Sequence, residues 1–203
     1  DNSFDGSLFD VYPTFFNYIE ANVNSINTSS IVNWLPINQK ILCEDVDYYS
    51  DTQISDSLVF IEALNLLVNN DPFDIDVLFL HFDEPDAAGH NFGFSPNIKE
   101  YKETLSSIDL YVDSLFSVID SRRLLGENWL CILVSDHGGD EYSHADYNNA
   151  KIRETVFVVE HPSKDFKMQH KSNMTDIAPT VLDFIGLSCA KFECEKDGRS
   201  VLE

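Results

Sequence analysis

Residues 75–82 read Ile-Asp-Val-Leu-Phe-Leu-His-Phe, and residues 129–134 read Trp-Leu-Cys-Ile-Leu-Val. Each is a nearly continuous apolar run, the pattern of a strand covered on both faces. Between them Ile98, Tyr101, Leu105, Ile108, Val112, Leu115 and Ile119 recur at steps of three and four, which spells a long amphipathic helix. Ser95-Pro96 offers that helix an N-cap and a first-turn proline, and Gly126 a C′ residue. Strand, helix, strand is a βαβ unit, and its crossover makes the two strands parallel, side by side or nearly so.

Outward from this unit the same alternation continues. A helix is expected after Pro13 with Phe15, Ile19 and Val23 inward, then a short strand over residues 29–34. Ile54, Leu58, Ile61, Leu64 and Val68 outline a second helix over 53–69. Residues 155–159 read as one more strand, and Met174, Ile177, Ala178, Val181, Leu182 and Ile185 as a helix ending at Gly186. No internal repeat, low-complexity tract or Pro/Gly/Ser linker divides the chain. All 203 residues therefore read as one α/β domain, a mainly parallel sheet flanked by helices on both faces.

Acidic side chains number 35 against 13 basic, a net charge of −22. Such a surface repels nucleic-acid backbones and anionic membranes, which argues against duplex binding. No apolar run is long enough for a membrane span. An anionic substrate would need a local positive charge, which bound metal ions supply. The first residues, Asp1 to Gly6, carry neither a basic n-region nor an apolar h-region, and no initiator Met. A mature or cut form is expected. The sequons Asn27-Thr28-Ser29 and Asn173-Met174-Thr175 lean toward a secreted or endomembrane-lumen location. Cys131 reads as a core thiol; Cys189 and Cys194 could close a small disulfide loop, and Cys43 has no evident partner.

Parallel strands bring their C-terminal ends to one sheet edge, where ligands of open α/β sheets bind. A loop after the first run holds Asp83-Glu84-Pro85-Asp86-Ala87-Ala88-Gly89-His90. After the second come Ser135-Asp136-His137-Gly138-Gly139 and then His144. With His81 at the strand end, four of the six histidines fall in these two segments. Imidazole and carboxylate suit zinc or manganese, and Gly89 and Gly138 would let the backbone turn tightly beside a metal. His161 and His170 lie elsewhere and read as structural or surface residues.

The segment HFDEPDAAGHNFGF resembles the Asp-x-x-Gly-His segment of the alkaline phosphatase superfamily, most closely its nucleotide pyrophosphatase/type I phosphodiesterase and sulfatase-like members. SDHGG is similar to the Ser-Asp-His-Gly segment of these families. Thr175-Asp176-Ile177-Ala178-Pro179-Thr180 resembles their late helix, Asp197-Gly198-Arg199-Ser200 a common ending, and Tyr12-Pro13-Thr14-Phe15-Phe16 their first helix. The resemblance implies two divalent metal ions, zinc or alternatively manganese. Asp86, His90 and His144 match the ligands of one, and Asp136 and His137 those of the second. Ala145 stands where a glycine commonly follows the third ligand. The family's Thr or Ser nucleophile and a further Asp ligand are expected upstream of Asp1, so no catalytic nucleophile is assigned within these residues.

The implied activity is hydrolysis of a small phosphate ester, as a phosphodiesterase or nucleotide pyrophosphatase. The two ions, about 4 Å apart, would clamp the attacking and leaving oxygens. The ligands do not separate this from transfer of a phosphoryl or phosphoethanolamine group, from sulfatase-like chemistry, or from a non-catalytic metal-binding module.

Overall fold

The structure, a computed structural model, describes residues 4, 6–9, 11–42, 45–69, 74–163, 165–168, 170–187 and 198–202. Along the chain the elements are α1 (Phe15–Asn22), β1 (Thr28–Val32), a π-helical segment (Ile37–Leu42), β2 (Tyr48–Tyr49), α2 (Asp56–Asn69), β3 (Val77–His81) and α3 (Glu84–Phe92). They continue with α4 (Lys99–Leu124), β4 (Cys131–Val134), α5 (Ala150–Arg153), β5 (Phe157–Glu160), a 3-10 turn (Met174–Asp176) and α6 (Ile177–Phe184). They group into two compact units, Asp1–Ala87 with Glu103–Ile119, and Ala88–Lys102 with Asp120–Glu203.

In the first unit β1 lies between β2 and β3, and both pairings are parallel, in register from Thr28 opposite Val77 to Val32 opposite His81. Every residue of β1 is buried. One sheet face carries Val77 and Phe79, which pack with Phe16 of α1, Leu42 and Val46; Phe16 meets Phe79 edge-on at 6.4 Å. On the other face Tyr48, in register with Ser29, donates its hydroxyl to Glu62 of α2 at 2.7 Å. Helices therefore cover both faces, and the class is α/β with a parallel sheet, as the sequence leads one to expect.

Local signals account for the helix ends. Thr14 caps α1, its hydroxyl accepting the Asn17 N–H at 3.3 Å. At the far end of α4, Gly126 has φ +101°, the left-handed geometry expected of the C′ residue. Two expectations shift. The long helix begins at Lys99, because Ser95 instead forms a turn that accepts the Ile98 N–H. And α2 buries Val59, Ala63, Leu66 and Leu67, leaving Leu58, Ile61 and Val68 roughly half exposed. This helix has apolar residues on more than one face, so the period of three and four fits two phases. The one containing the small Ala63 lets the helix approach β1 and β3 most closely.

The second unit corrects the βαβ reading. The ladder neighbour of β3 is β1, whereas β4 pairs antiparallel with β5, Cys131 opposite Glu160 through Val134 opposite Phe157. An apolar run reports burial and leaves the ladder partner to nonlocal packing. β4 is also less covered than its composition suggests, since the cross-strand pair Leu133 and Val158 is 36% and 46% exposed. Arg123 fastens the end of α4 to these strands, donating to the Trp129 carbonyl and the Glu160 carboxylate, each at 2.7 Å. Burial pushes the adjacent Cys131 thiol up to about 12, so it is a packing group. Cys43, Cys189 and Cys194 lie outside the described residues. No described helix is long and apolar enough to cross a membrane.

Candidate metal centre

The stretch after β3 was expected to be a loop; it is the helix α3. Its first turn carries Glu84, Pro85 and Asp86, residue types that suit the positive end of a helix. Its leading N–H groups are satisfied from a distance. The buried Asp56 carboxyl accepts the N–H of Asp83 at Oδ1 and that of Glu84 at Oδ2, both at 2.9 Å. Asp86 and His90 are then one helical turn apart, so their side chains stand on one face.

The glycines act by close packing. Gly89 and Gly139 both lie against the ring of Phe94, and a Cβ on either would overlap that ring. Gly138 lies equally close to the Lys151 carbonyl. Gly89 and Gly138 were expected to supply tight turns; neither has a positive φ, and each makes room for a neighbour.

His144 comes from a loop whose ends are tied. Asp140 and Ser143 exchange backbone hydrogen bonds, and the Asp140 carboxylate accepts from Asn149 at 2.8 Å and Lys151 at 2.6 Å. The Lys151 contact, helped by Asn149, holds the Asp140 carboxyl below the usual carboxylate range. Glu141 sits at φ +53°, an uncommon conformation for a residue with a side chain. There its carbonyl accepts the Phe94 N–H at 2.7 Å, and the next carbonyl, of Tyr142, lies 2.9 Å from His90 Nδ1.

That last contact fixes a tautomer. A carbonyl only accepts, so His90 Nδ1 carries the hydrogen and Nε2 of the neutral ring presents a lone pair. This Nε2 faces His144 Nε2 at 3.1 Å, and ligand atoms of Asp86, His90 and His144 all lie within 4.8 Å of one another. Donors about 2.0–2.1 Å from a tetrahedral zinc stand roughly 3.3 Å apart. The spacing, the oxygen-and-nitrogen donor set and a second ring nitrogen anchored on a carbonyl fit a divalent ion.

The second pair of expected ligands lies alongside. His137 stacks on His144 with ring centroids 3.9 Å apart, and its Nδ1 is turned to the Gly138 carbonyl at 2.9 Å. The Asp136 side chain is 72% exposed and accepts the His137 N–H at 3.0 Å. Neither residue belongs to the three-ligand cluster. His161 stacks on Phe166. His170 is bonded to the buried Asp176 at 3.2 Å. Although burial alone would raise it, the Asp176 carboxyl is held low by the Arg199 and Asn173 N–H groups and by His170. Neither of these two histidines belongs to the three-ligand cluster.

A cleft of about 740 Å³ opens in the second unit, lined in part by Phe94, Ser95, Asp140, Tyr142 and Lys151. Phe94 joins it to the histidines, its ring edge-on to His90 at 5.4 Å and to His144 at 6.5 Å. Sequence reasoning missed Asp56, Phe94 and the Tyr142 carbonyl. Gly89 and Gly139 were visible as small residues beside the motifs, and Phe94 could have been suspected from them; Asp56 and a backbone carbonyl leave no such trace.

Residues 14–185 match the type I phosphodiesterase / nucleotide pyrophosphatase family, and the chain belongs to that family. Similar curated proteins include the 2,3-bisphosphoglycerate-independent phosphoglycerate mutase of Malacoplasma penetrans, 28% identical over 164 residues, which are 79% of this chain and 28% of that protein. The enzyme of the same name from Listeria welshimeri is 27% identical over 144 residues, 70% of this chain and 26% of that protein. The chain thus spans about a quarter of the length of the curated relatives it matches. Among solved structures, an inactive variant of murine ectonucleotide pyrophosphatase/phosphodiesterase 5 in complex with AMP is 22% identical, with a TM-score of 0.44. That match covers 61% of this chain and 31% of the murine one.

Proposed function

We propose that Asp86, His90 and His144 hold one divalent ion of a phosphoester-cleaving centre, and that Asp136 and His137 contribute to a second. The observation that carries this reading is the pair of imidazole Nε2 atoms 3.1 Å apart, with His90 Nδ1 turned away onto the Tyr142 carbonyl. Membership of the phosphodiesterase family supports the reaction class. The donor set favours zinc, with manganese second. When bound, such ions offset the charge of a phosphoryl group and polarise its oxygens. The chain's own part is positional. The Tyr142 carbonyl aims His90, Phe94 packs behind both imidazoles, and the cleft beyond it has room for the organic half of a small phosphate ester. The Thr14 hydroxyl, spent on capping α1, is a poor nucleophile candidate.

A second reading is transfer of the phosphoryl group, and the relatives named as mutases support it. The primary test is zinc titration of the full chain by calorimetry. His90→Ala and His144→Ala should each weaken binding by well over tenfold, since even supporting groups around a metal are worth ~10–100-fold. Asn148→Ala is the control. Unchanged affinity in both histidine variants would remove the metal reading. Product analysis with a protein extended upstream then separates free phosphate from a phosphorylated acceptor.

A further inference from the structure

The two sequons are held differently by the fold. A sequon joins an Asn side chain to the hydroxyl two residues on, and a glycan there must project from the surface. Asn27-Thr28-Ser29 is locked into the sheet. The Asn27 side-chain amide donates to the Asp74 carbonyl at 2.7 Å, and its backbone N–H to the Asp76 carboxylate at 2.8 Å. Thr28 and Ser29 belong to β1 and have no solvent exposure, and Ser29 stands in the ladder opposite Tyr48 and Leu78. In Asn173-Met174-Thr175 all three residues are exposed. Asn173 Oδ1 accepts the Thr175 N–H at 2.9 Å and the Thr175 hydroxyl at 2.5 Å, an Asx-turn that puts the amide and the sequon hydroxyl in direct contact. A backbone N–H requires an acceptor, so the atom it meets is the oxygen, and Nδ2 lies on the other side of the amide. Among the described residues Nδ2 donates to no group. The turn is anchored from below: the buried Asp176 carboxylate accepts the N–H groups of Asn173 and Arg199, each at 2.9 Å.

We propose that Asn173 is the acceptor of an N-linked glycan when the chain enters a secretory lumen, and that the fold selects it over Asn27. The donor is an oligosaccharide carried on a lipid pyrophosphate. The bond from the anomeric carbon to the pyrophosphate oxygen breaks, and that oxygen leaves with the electron pair. Nδ2 of Asn173 bonds the same carbon and gives up one proton. The two hydrogen bonds onto Oδ1 draw electron density from the amide and make that proton easier to lose. Oδ1 takes no part in the new bond, so the glycan leaves the Thr175 contacts and the turn into α6 as they are. At Asn27 the same reaction would put a bulky group on the nitrogen that holds Asp74, beside a hydroxyl sealed in the sheet. The proposal is independent of the metal reading.

The test expresses the full chain behind a cleavable leader in a eukaryotic cell and takes the protein from the lumenal fraction. Peptide N-glycosidase converts each glycan-bearing Asn to Asp, which peptide mass spectrometry reads site by site. Conversion is expected at position 173, at severalfold the occupancy of position 27. Thr175→Ala should abolish it at 173, and Thr175→Ser should retain it, because Ser keeps the hydroxyl. Asn173→Asp keeps an oxygen for the Thr175 N–H but has no acceptor nitrogen. It should lose the glycan with an unchanged circular dichroism spectrum, so that loss of the glycan is not loss of the fold. An unmodified Asn173 in lumenal protein would overturn the proposal. Equal or greater occupancy at Asn27 would overturn it as well, because the fold would then not be what selects the site. A glycan that persists in Asn173→Asp would place the acceptor elsewhere and reject Asn173.

Discussion

The start of α3 is held by a carboxyl with no solvent exposure, whereas the loop bearing His144 is held by Asp140 and Lys151, whose side chains are 32% and 68% exposed. Both devices join a carboxylate to nearby donors, and both lie close in sequence to proposed ligands. Their physics differs. Removing a buried acceptor leaves donors that water cannot reach, and the full desolvation cost appears. An exposed pair loses little, because water and salt replace it. Two of the proposed ligands therefore stand on a helix whose first N–H groups are held by a buried carboxyl. The third comes from a surface loop, with Glu141 held in an uncommon backbone conformation beside it.

The sharpest way to break this comparison is to remove both carboxyls. Asp56→Ala should destabilise the chain by about 3 kcal/mol, because it takes the acceptor from the buried Asn33 side-chain amide and from the part-buried N–H groups of Asp83 and Glu84. Urea unfolding followed by circular dichroism measures it. Asp140→Ala should leave the urea midpoint unchanged within error, and equal losses in the two variants would show that burial does not distinguish them. An intermediate effect is expected at Gly139→Ala, where a methyl group must enter space held by the Phe94 ring. Overpacking of this kind costs about 1–3 kcal/mol. Pairing it with Phe94→Leu should recover part of the loss, and a double variant no better than the single would place the strain elsewhere.

What the sequence disclosed follows the range of the interaction involved. The runs at 75–82 and 129–134, the long helix between them and Gly126 at its end depend on neighbours a few residues away, and all were legible. α3 was not, because its cap sits 27 residues upstream at Asp56 and the stretch Glu-Pro-Asp-Ala-Ala-Gly-His-Asn-Phe has no apolar period of its own. The partner of β4 was missed for the same reason, since nothing in Cys-Ile-Leu-Val distinguishes a β3 neighbour from a β5 neighbour. Asp86, His90 and His144 could be named from motif and spacing, and the structure gathers them. The contact that orients His90 could not be named, because a backbone carbonyl is the same at every residue.

The smallest effect belongs to the Asp140–Lys151 clasp, and it is the one most open to solution conditions. Lys151 holds the Asp140 carboxyl below its usual range. A carboxyl lowered in the folded state contributes its restraint fully above the unfolded value, about 3.9, and loses it as pH falls through the lowered folded value. Near neutral pH the clasp is therefore complete, and salt is the way to loosen it. Raising ionic strength from about 0.05 to 0.5 M shortens the screening length severalfold. Amide exchange across residues 140–149 should then speed by about twofold, while exchange at the start of α3 stays put. Lys151→Met should reproduce the fast exchange at low salt and abolish its salt dependence. Following the Asp140 carboxyl carbon by NMR against pH checks the sign: its midpoint should rise toward the ordinary carboxylate value in Lys151→Met. If the midpoint stays low there, Asn149 and the loop backbone hold Asp140 without Lys151. The loop bearing His144 would then be fixed by hydrogen bonds from neutral donors to a carboxyl, as the start of α3 is, and the contrast between the two regions would rest on exposure alone.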